Sequence, residues 1–242
     1  MEIICLASSS SGNSYLVKND DTILLLEAGI QYQEIVHKLN SLGINITRVK
    51  AVAVTHEHGD HARSAAKLSE FMPVIASSDT LAKISGLKSK WPIKEWQDIA
   101  HVGSMWITGF YVDHDTPGAM GFIVYDQMND EKLLFVNDTK FIRYNFSAQL
   151  FDYIYIECNY NEEIISLKDV RTRRTANSHM SLETVKKTLL KMNLTQTRGI
   201  YLMHLSDGNS DQNRMIKEVM ESTGIPTYAC LKNGGFATYG RT

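Results

Sequence analysis

The sequence predicts a mixed α/β fold, on three observations. Runs of strand character and runs of helix character interleave along the whole chain. With 43% hydrophobic and 21% charged residues over 242 positions, the chain carries enough apolar surface to bury a sizeable core. No repeat, low-complexity tract or Pro/Gly-rich linker divides it, so residues 1–242 read as one domain. Patterning alone leaves two architectures open, a single open sheet and a sheet-on-sheet sandwich with outer helices.

Taken in order, residues 3–6, 15–17 and 22–26 are short apolar runs separated by Ser8-Ser9-Ser10-Ser11-Gly12-Asn13 and Asn19-Asp20-Asp21, the pattern of a meander. Residues 31–42 place Ile35, Leu39 and Leu42 at i, i+4 and i+7 and stop at Gly43, which predicts an amphipathic helix with a glycine C-terminal stop. A strand follows at 50–54. Further helices are expected at 63–71, 78–85, 181–192 and 211–222, and strands at 105–111, 121–125, 133–136, 153–157 and 199–203. Ser181 with Glu183 in the following turn is a serine cap with an acidic first turn.

Lys+Arg number 25 against 27 Asp+Glu, a net charge of −2, which excludes a generally basic nucleic-acid coat while allowing a local basic groove. Cys5, Cys158 and Cys230 are odd in number and far apart, which argues against a disulfide framework or a thiolate metal site and for a reducing cytoplasm. No uncharged apolar run approaches the roughly 18 residues that span a bilayer. Met1-Glu2-Ile3-Ile4-Cys5 lacks the basic and long apolar regions of a signal peptide. The expectation is a soluble cytoplasmic protein with no membrane partner.

The chemistry concentrates in Ala51-Val52-Ala53-Val54-Thr55-His56-Glu57-His58-Gly59-Asp60-His61. An apolar strand runs straight into three imidazoles and a carboxylate, a density that predicts a metal site. His56 and His58, two apart in extended backbone, point to one side. Asp60 and His61 turn toward a neighbouring point if the chain bends into a helix after Gly59. One loop can thus serve two ions, whereas a solvated histidine-rich turn would need no apolar strand ahead of it.

This His-x-His-x-Asp-His run resembles the signature of the metallo-β-lactamase superfamily. The resemblance implies a four-layer αββα sandwich with a dinuclear centre at one edge. It also implies His114 (in Tyr111-Val112-Asp113-His114), Asp138 (after Leu133-Leu134-Phe135-Val136-Asn137) and His204 (after Gly199–Met203) as the remaining ligands. One ion is then expected at His56, His58 and His114, the other at Asp60, His61 and His204, with Asp138 bridging. Within the superfamily the chain is most similar to the YycJ/WalJ-like phosphodiesterase and nuclease branch. Leu6-Ala7-Ser8-Ser9-Ser10-Ser11-Gly12-Asn13-Ser14-Tyr15, His114-Asp115-Thr116-Pro117-Gly118-Ala119-Met120-Gly121-Phe122, Glu157-Cys158-Asn159-Tyr160 and Ser178-His179-Met180-Ser181 carry that likeness. His179 falls where nuclease-type relatives place a histidine beside the scissile phosphate. Glu27 stands where the group usually has aspartate, and is expected to orient a ligand histidine from behind. The chain is too short for an inserted β-CASP domain.

The resemblance implies a metal-dependent hydrolase cleaving phosphodiesters with a metal-bridging hydroxide. Two divalent cations, zinc by default and manganese or iron as alternatives, would neutralise the phosphate and supply the nucleophile. Asp60 and His179 are the expected catalytic groups, Asp60 orienting or deprotonating the water and His179 protonating the leaving oxygen. Arg171, Arg173 and Arg174 are expected to bind flanking backbone phosphates, and Ser11 and Asn13 to present polar groups to substrate. The expected substrate is DNA, attacked as by an exonuclease. The alternatives are a small cyclic or nucleotide-like diester and a non-catalytic, metal-stabilised binding protein.

Overall fold

The computed structural model describes residues 1–165 and 176–239. Among these, strands β1 (Glu2–Ala7), β2 (Ser14–Lys18), β3 (Ile23–Leu26), β4 (Ala51–Ala53), β5 (Val74–Ala76) and β6 (Lys90–Pro92) form one sheet in sequence order. A second sheet runs, from one edge to the other, β14 (Phe236–Ala237), β13 (Thr227–Cys230), β12 (Gly199–Met203), β11 (Tyr153–Glu157), β10 (Glu131–Val136), β9 (Met120–Asp126), β8 (Met105–Tyr111) and β7 (Ile99–Val102). The expected meander is the antiparallel trio β1, β2 and β3; from β3 onward the first sheet is parallel. The second sheet is parallel through β10, β11, β12 and β13 and antiparallel towards both edges.

The period-2 alternation of the strands writes the layers. Leu24, Leu26, Ala51 and Ala53 face Leu133, Phe135, Tyr155 and Met203 in a core between the sheets. Their neighbours Leu25, Val52 and Val54 turn outward, against Ile35 and Leu39 of helix α1 (Tyr32–Ser41) and Leu68 of α3 (Ala65–Leu68). On the other side Leu134, Ile154, Ile156, Ile200 and Leu202 pack on Val185 and Leu189 of α5 (Leu182–Leu189) and on Met215, Ile216 and Val219 of α6 (Gln212–Thr223). Three separate cores therefore make four layers, helices–sheet–sheet–helices, and the sandwich is the architecture that patterning had left open.

Ser181 Oγ accepts from the Thr184 amide and Asp211 from the Arg214 amide, so α5 and α6 start at their caps as expected. The helix expected at 63–71 is a correction. The chain instead forms two single turns, α2 (Gly59–Ala62) and α3, broken at Ser64. The cause is competition for backbone groups. The Ser64 amide donates to Ala28 O and its hydroxyl to Ile30 O, while Asp60 O and His61 O accept from the Asn13 and Ala28 amides. Strands β5, β6, β7, β13 and β14 also appear where the sequence showed no strand pattern. They span two to four residues and are ordered by pairing with neighbouring strands, β7, β13 and β14 with longer ones.

Candidate metal centre

The C-terminal ends of β3, β4, β10, β11 and β12, with the loop after β8, meet at one edge of the sandwich. Three residues just past these strand ends hold positive φ: Glu27 (67°) after β3, Asp138 (44°) after β10 and His204 (54°) after β12. Non-glycine residues avoid this region, and strain of this kind collects at functional sites. Local bonds hold it in place. The Glu27 amide donates to Ala53 O at 2.8 Å, and the His204 amide donates to Ser8 Oγ at 2.9 Å, tying the second sheet to the first hairpin.

The expected ligand residues converge in two sets. In the first, His58 Nδ1 lies 3.0 Å from His56 Nε2 and 3.4 Å from His114 Nε2. In the second, Asp60 Oδ2 lies 3.5 Å from His61 Nε2 and 3.4 Å from His204 Nε2. Asp138 belongs to the second set and faces the first: its Oδ2 is 3.2 Å from His61 Nε2, 3.7 Å from His56 Nε2 and 3.9 Å from His114 Nε2, while its Oδ1 is 3.6 Å from His204 Nε2. Each set is a close cluster of nitrogen and oxygen donors of the kind that holds a divalent ion.

Several donors sit in states suited to a metal, whereas, against its burial, the His61 imidazole is held well above the usual histidine range by Asp138 and Glu27 beside it, so it must give up a proton to ligate. His56 Nδ1 bonds Thr55 Oγ1 at 2.9 Å, and that hydroxyl donates to Glu27 Oε1 at 2.6 Å, so the relay leaves the His56 Nε2 lone pair facing the centre. His61 Nδ1 lies 3.2 Å from the same Glu27 oxygen, and His114 Nδ1 lies 3.3 Å from Ser178 O. Burial, with neighbouring imidazoles, pushes His56 well below the usual histidine range, and burial lowers His114, keeping both neutral. Burial opposes charge on Asp60 and Asp138, yet the imidazoles of His204 and His61 hold both carboxyls well below the usual carboxylate range. Asp138 Oδ1 is a buried acceptor that receives no hydrogen bond. Buried carboxylates facing several ring nitrogens, with one oxygen unbonded, fit a bound cation.

His179 stands beside this centre. Its ring stacks on His204 with centroids 5.3 Å apart, and its Nδ1 donates to Glu157 Oε1 at 2.5 Å. Glu157 is fully buried, and its other oxygen accepts from the Thr139 and Met180 amides. Burial disfavours charge on His179, but Glu157 beside it lifts its pKa to about 9. Asn159 Nδ2 donates to His204 O at 2.8 Å.

Other expectations land elsewhere. Asn13 lies beneath the centre, fully buried: its Nδ2 donates to Ser9 O and Asp60 O and its Oδ1 accepts from the Ser9 amide. Ser11 is exposed on the hairpin. Arg171, Arg173 and Arg174 lie outside the described residues. Sequence reasoning passed over Thr55, which carries no signal beyond preceding His56, and gave no role to Glu157. It also missed Lys83 of α4 (Ser78–Lys83), whose Nζ bonds Thr116 Oγ1 at 2.5 Å, Pro117 O at 3.2 Å and Glu57 Oε1 at 2.9 Å, pinning the loops of His58 and His114 together.

The family model of the metallo-beta-lactamase superfamily matches residues 9–187, most of the chain. The chain belongs to the metallo-beta-lactamase superfamily. It is 26% identical over 237 residues to the exodeoxyribonuclease YycJ of Bacillus anthracis, covering 91% of this chain and 89% of that one. It is 27% identical to the exodeoxyribonuclease WalJ of Streptococcus pneumoniae, covering 91% and 85%. Among solved structures, the metallo-beta-lactamase fold protein YhfI from Bacillus subtilis superposes with a TM-score of 0.74 at 14% identity, covering 97% of this chain and 98% of that one. As a member of the superfamily with the His/Asp cluster above, the chain is a metal-dependent hydrolase. No helix among the described residues is long and apolar enough to cross a membrane.

Proposed function

We propose that this chain is a dinuclear phosphodiester hydrolase of one domain that degrades DNA as an exonuclease in the cytoplasm. The observation that carries the reading is the Asp138 carboxylate, which faces both donor sets at once, with the Glu157-paired His179 at its side. Two relatives named exodeoxyribonuclease, similar over nine-tenths of the chain, support the substrate class. His56, His58 and His114 would hold one ion and Asp60, His61 and His204 the other, with Asp138 shared. Zinc is the first ion to test, with manganese or iron as alternatives for an all nitrogen and oxygen donor set. When bound, the ions supply Lewis-acid neutralisation of the phosphate and a nucleophile at neutral pH.

The chain's own residues do the rest. Glu27 faces the His61 ring across 3.2 Å and fixes the His56 ring through Thr55. Asp60, partly exposed between His61 and His204, orients the attacking water. Glu157 holds the His179 Nδ1 proton, so Nε2 is the atom that donates a proton to the departing oxygen. Arg171, Arg173, Arg174 and the exposed Ser11 are assigned to flanking contacts with substrate.

The test is add-back. Metal-stripped protein is incubated with 5′-labelled single-stranded and duplex DNA, with and without zinc or manganese, alongside Asp138→Ala. Metal-restored degradation absent from the variant supports the reading. Intact DNA with cleavage of a chromogenic diester transfers the activity to small diesters.

A further inference from the structure

Past the buried Thr139 that follows Asp138, the chain leaves the centre and comes to the surface. Lys140, Phe141 and Arg143 are exposed, Phe141 at 41% and the Arg143 side chain at 56%. The Arg143 guanidinium carbon stands 6.0 Å from the Phe141 ring centroid. This segment is fastened to the loop that carries His114. The Lys140 amide donates to Asp113 O at 2.9 Å, the Asp113 amide to Thr139 Oγ1 at 3.0 Å, and the Arg143 guanidinium to Asp113 Oδ1 at 2.7 Å. Tyr111, 39% exposed, adjoins it: its amide donates to Glu95 Oε1, which also accepts the Tyr144 hydroxyl. Beyond Arg143 opens a cavity of about 510 Å³ lined by Arg143, Tyr144, Asn145, Ser147, Lys191 and Met192.

We propose that this face, from the metal centre across Phe141 and Arg143 to Lys191, is a track for a single-stranded nucleic-acid segment, an inference that rests on the phosphodiesterase reading. A large apolar ring held at the surface beside a guanidinium gives a base something to stack on and its phosphate a cation to meet. Lys140 and Lys191 continue the positive charge on either side. Among the described residues, the acids bonded to this segment are Asp113, which positions Arg143, and Glu95, which is taken up by the Tyr111 amide and the Tyr144 hydroxyl, while Asp115 stays with His58 and His114 at the centre. A duplex keeps its base faces buried in its own stack, so the ring selects an unpaired strand. The bonds between the segment and the loops of His114 and Asp138 set the platform at a fixed distance from the reacting phosphate.

The experiment measures binding of a fluorescein-labelled phosphorothioate oligothymidylate, which resists cleavage, to the zinc-loaded protein by anisotropy over a range of salt. Phe141→Ala combined with Arg143→Gln is expected to weaken binding by about tenfold or more, from the loss of one stacking ring and one cation. Arg143→Gln alone should flatten the slope of log Kd against log salt by about 0.7. Lys217→Ala, at a residue that lines the groove between α5 and α6 and not the cavity beside Arg143, should bind as the parent does. Unchanged affinity and slope in variants whose thermal midpoints match the parent overturn the track, as does a parent that does not bind the strand. A parent that binds through these residues yet leaves natural DNA intact overturns the nuclease reading alone. Cleavage of DNA with binding unchanged in the variants overturns the track alone.

Discussion

Glu27 Oε1 lies 3.2 Å from His61 Nδ1, and both side chains are fully buried. The same oxygen accepts from Thr55, which in turn bonds His56 Nδ1. One carboxylate thus faces His61 of one donor set and, through Thr55, orients His56 of the other. Removing it in Glu27→Ala is expected to lower metal affinity about 10–100-fold. Titration against a chromogenic chelator checks this, and an unchanged affinity would remove Glu27 from the account. Glu27→Gln, which keeps an oxygen acceptor at the same reach, should fall between the two.

Lys83, unlike Glu27, braces one donor set alone. It ties Glu57 to Thr116 and Pro117, between the loops of His58 and His114, whereas Asp60 and His204 are braced by Asn13, Ser8 and Asn159. Lys83→Met should weaken one ion of the two by about tenfold, with partial recovery in Lys83→Arg. Equal weakening of both ions would show that the braces are shared.

His179→Ala should retain its metal and lose turnover by about 10²–10⁴-fold, the usual range for a positioned acid. Metal analysis beside steady-state rates separates the two effects. Loss of an ion on this substitution would make His179 a ligand.

Much of this centre was legible because its densest part is local. His56, His58, Asp60 and His61 fall within six consecutive positions after an apolar strand, and the later candidate ligands each follow an apolar run. Glu27 was legible as a departure from a family pattern. Thr55 and Lys83 were not, since their roles come from partners brought close by folding: Lys83 meets Thr116 33 residues on. The fold divides in the same way. The long strands β8, β11 and β12 stand at their expected limits, while the two-residue β14 is visible only through its pairing with β13. The single helix expected at 63–71 failed because helical periodicity says nothing about distant carbonyls that claim the Ser64 donors.

Stability should respond to the cap of α6. Asp211 accepts from the Arg214 amide at 3.0 Å, and Asp211→Ala is expected to cost about 1 kcal/mol, read as a lower urea midpoint with an unchanged slope. Leu25→Ala, in the core between the first sheet and its helices, should cost about 2–5 kcal/mol. A loss at Leu25 no larger than that at Asp211 would contradict the layer assignment.

The most direct test of the central claim follows hydrolysis of labelled DNA while metal-free protein is titrated with zinc or manganese. The proposed sharing of Asp138, which faces both donor sets, predicts that activity rises through the second equivalent of metal and that Asp138→Ala stays inactive throughout. Full activity at one equivalent, or activity in Asp138→Ala, would contradict a shared two-ion centre.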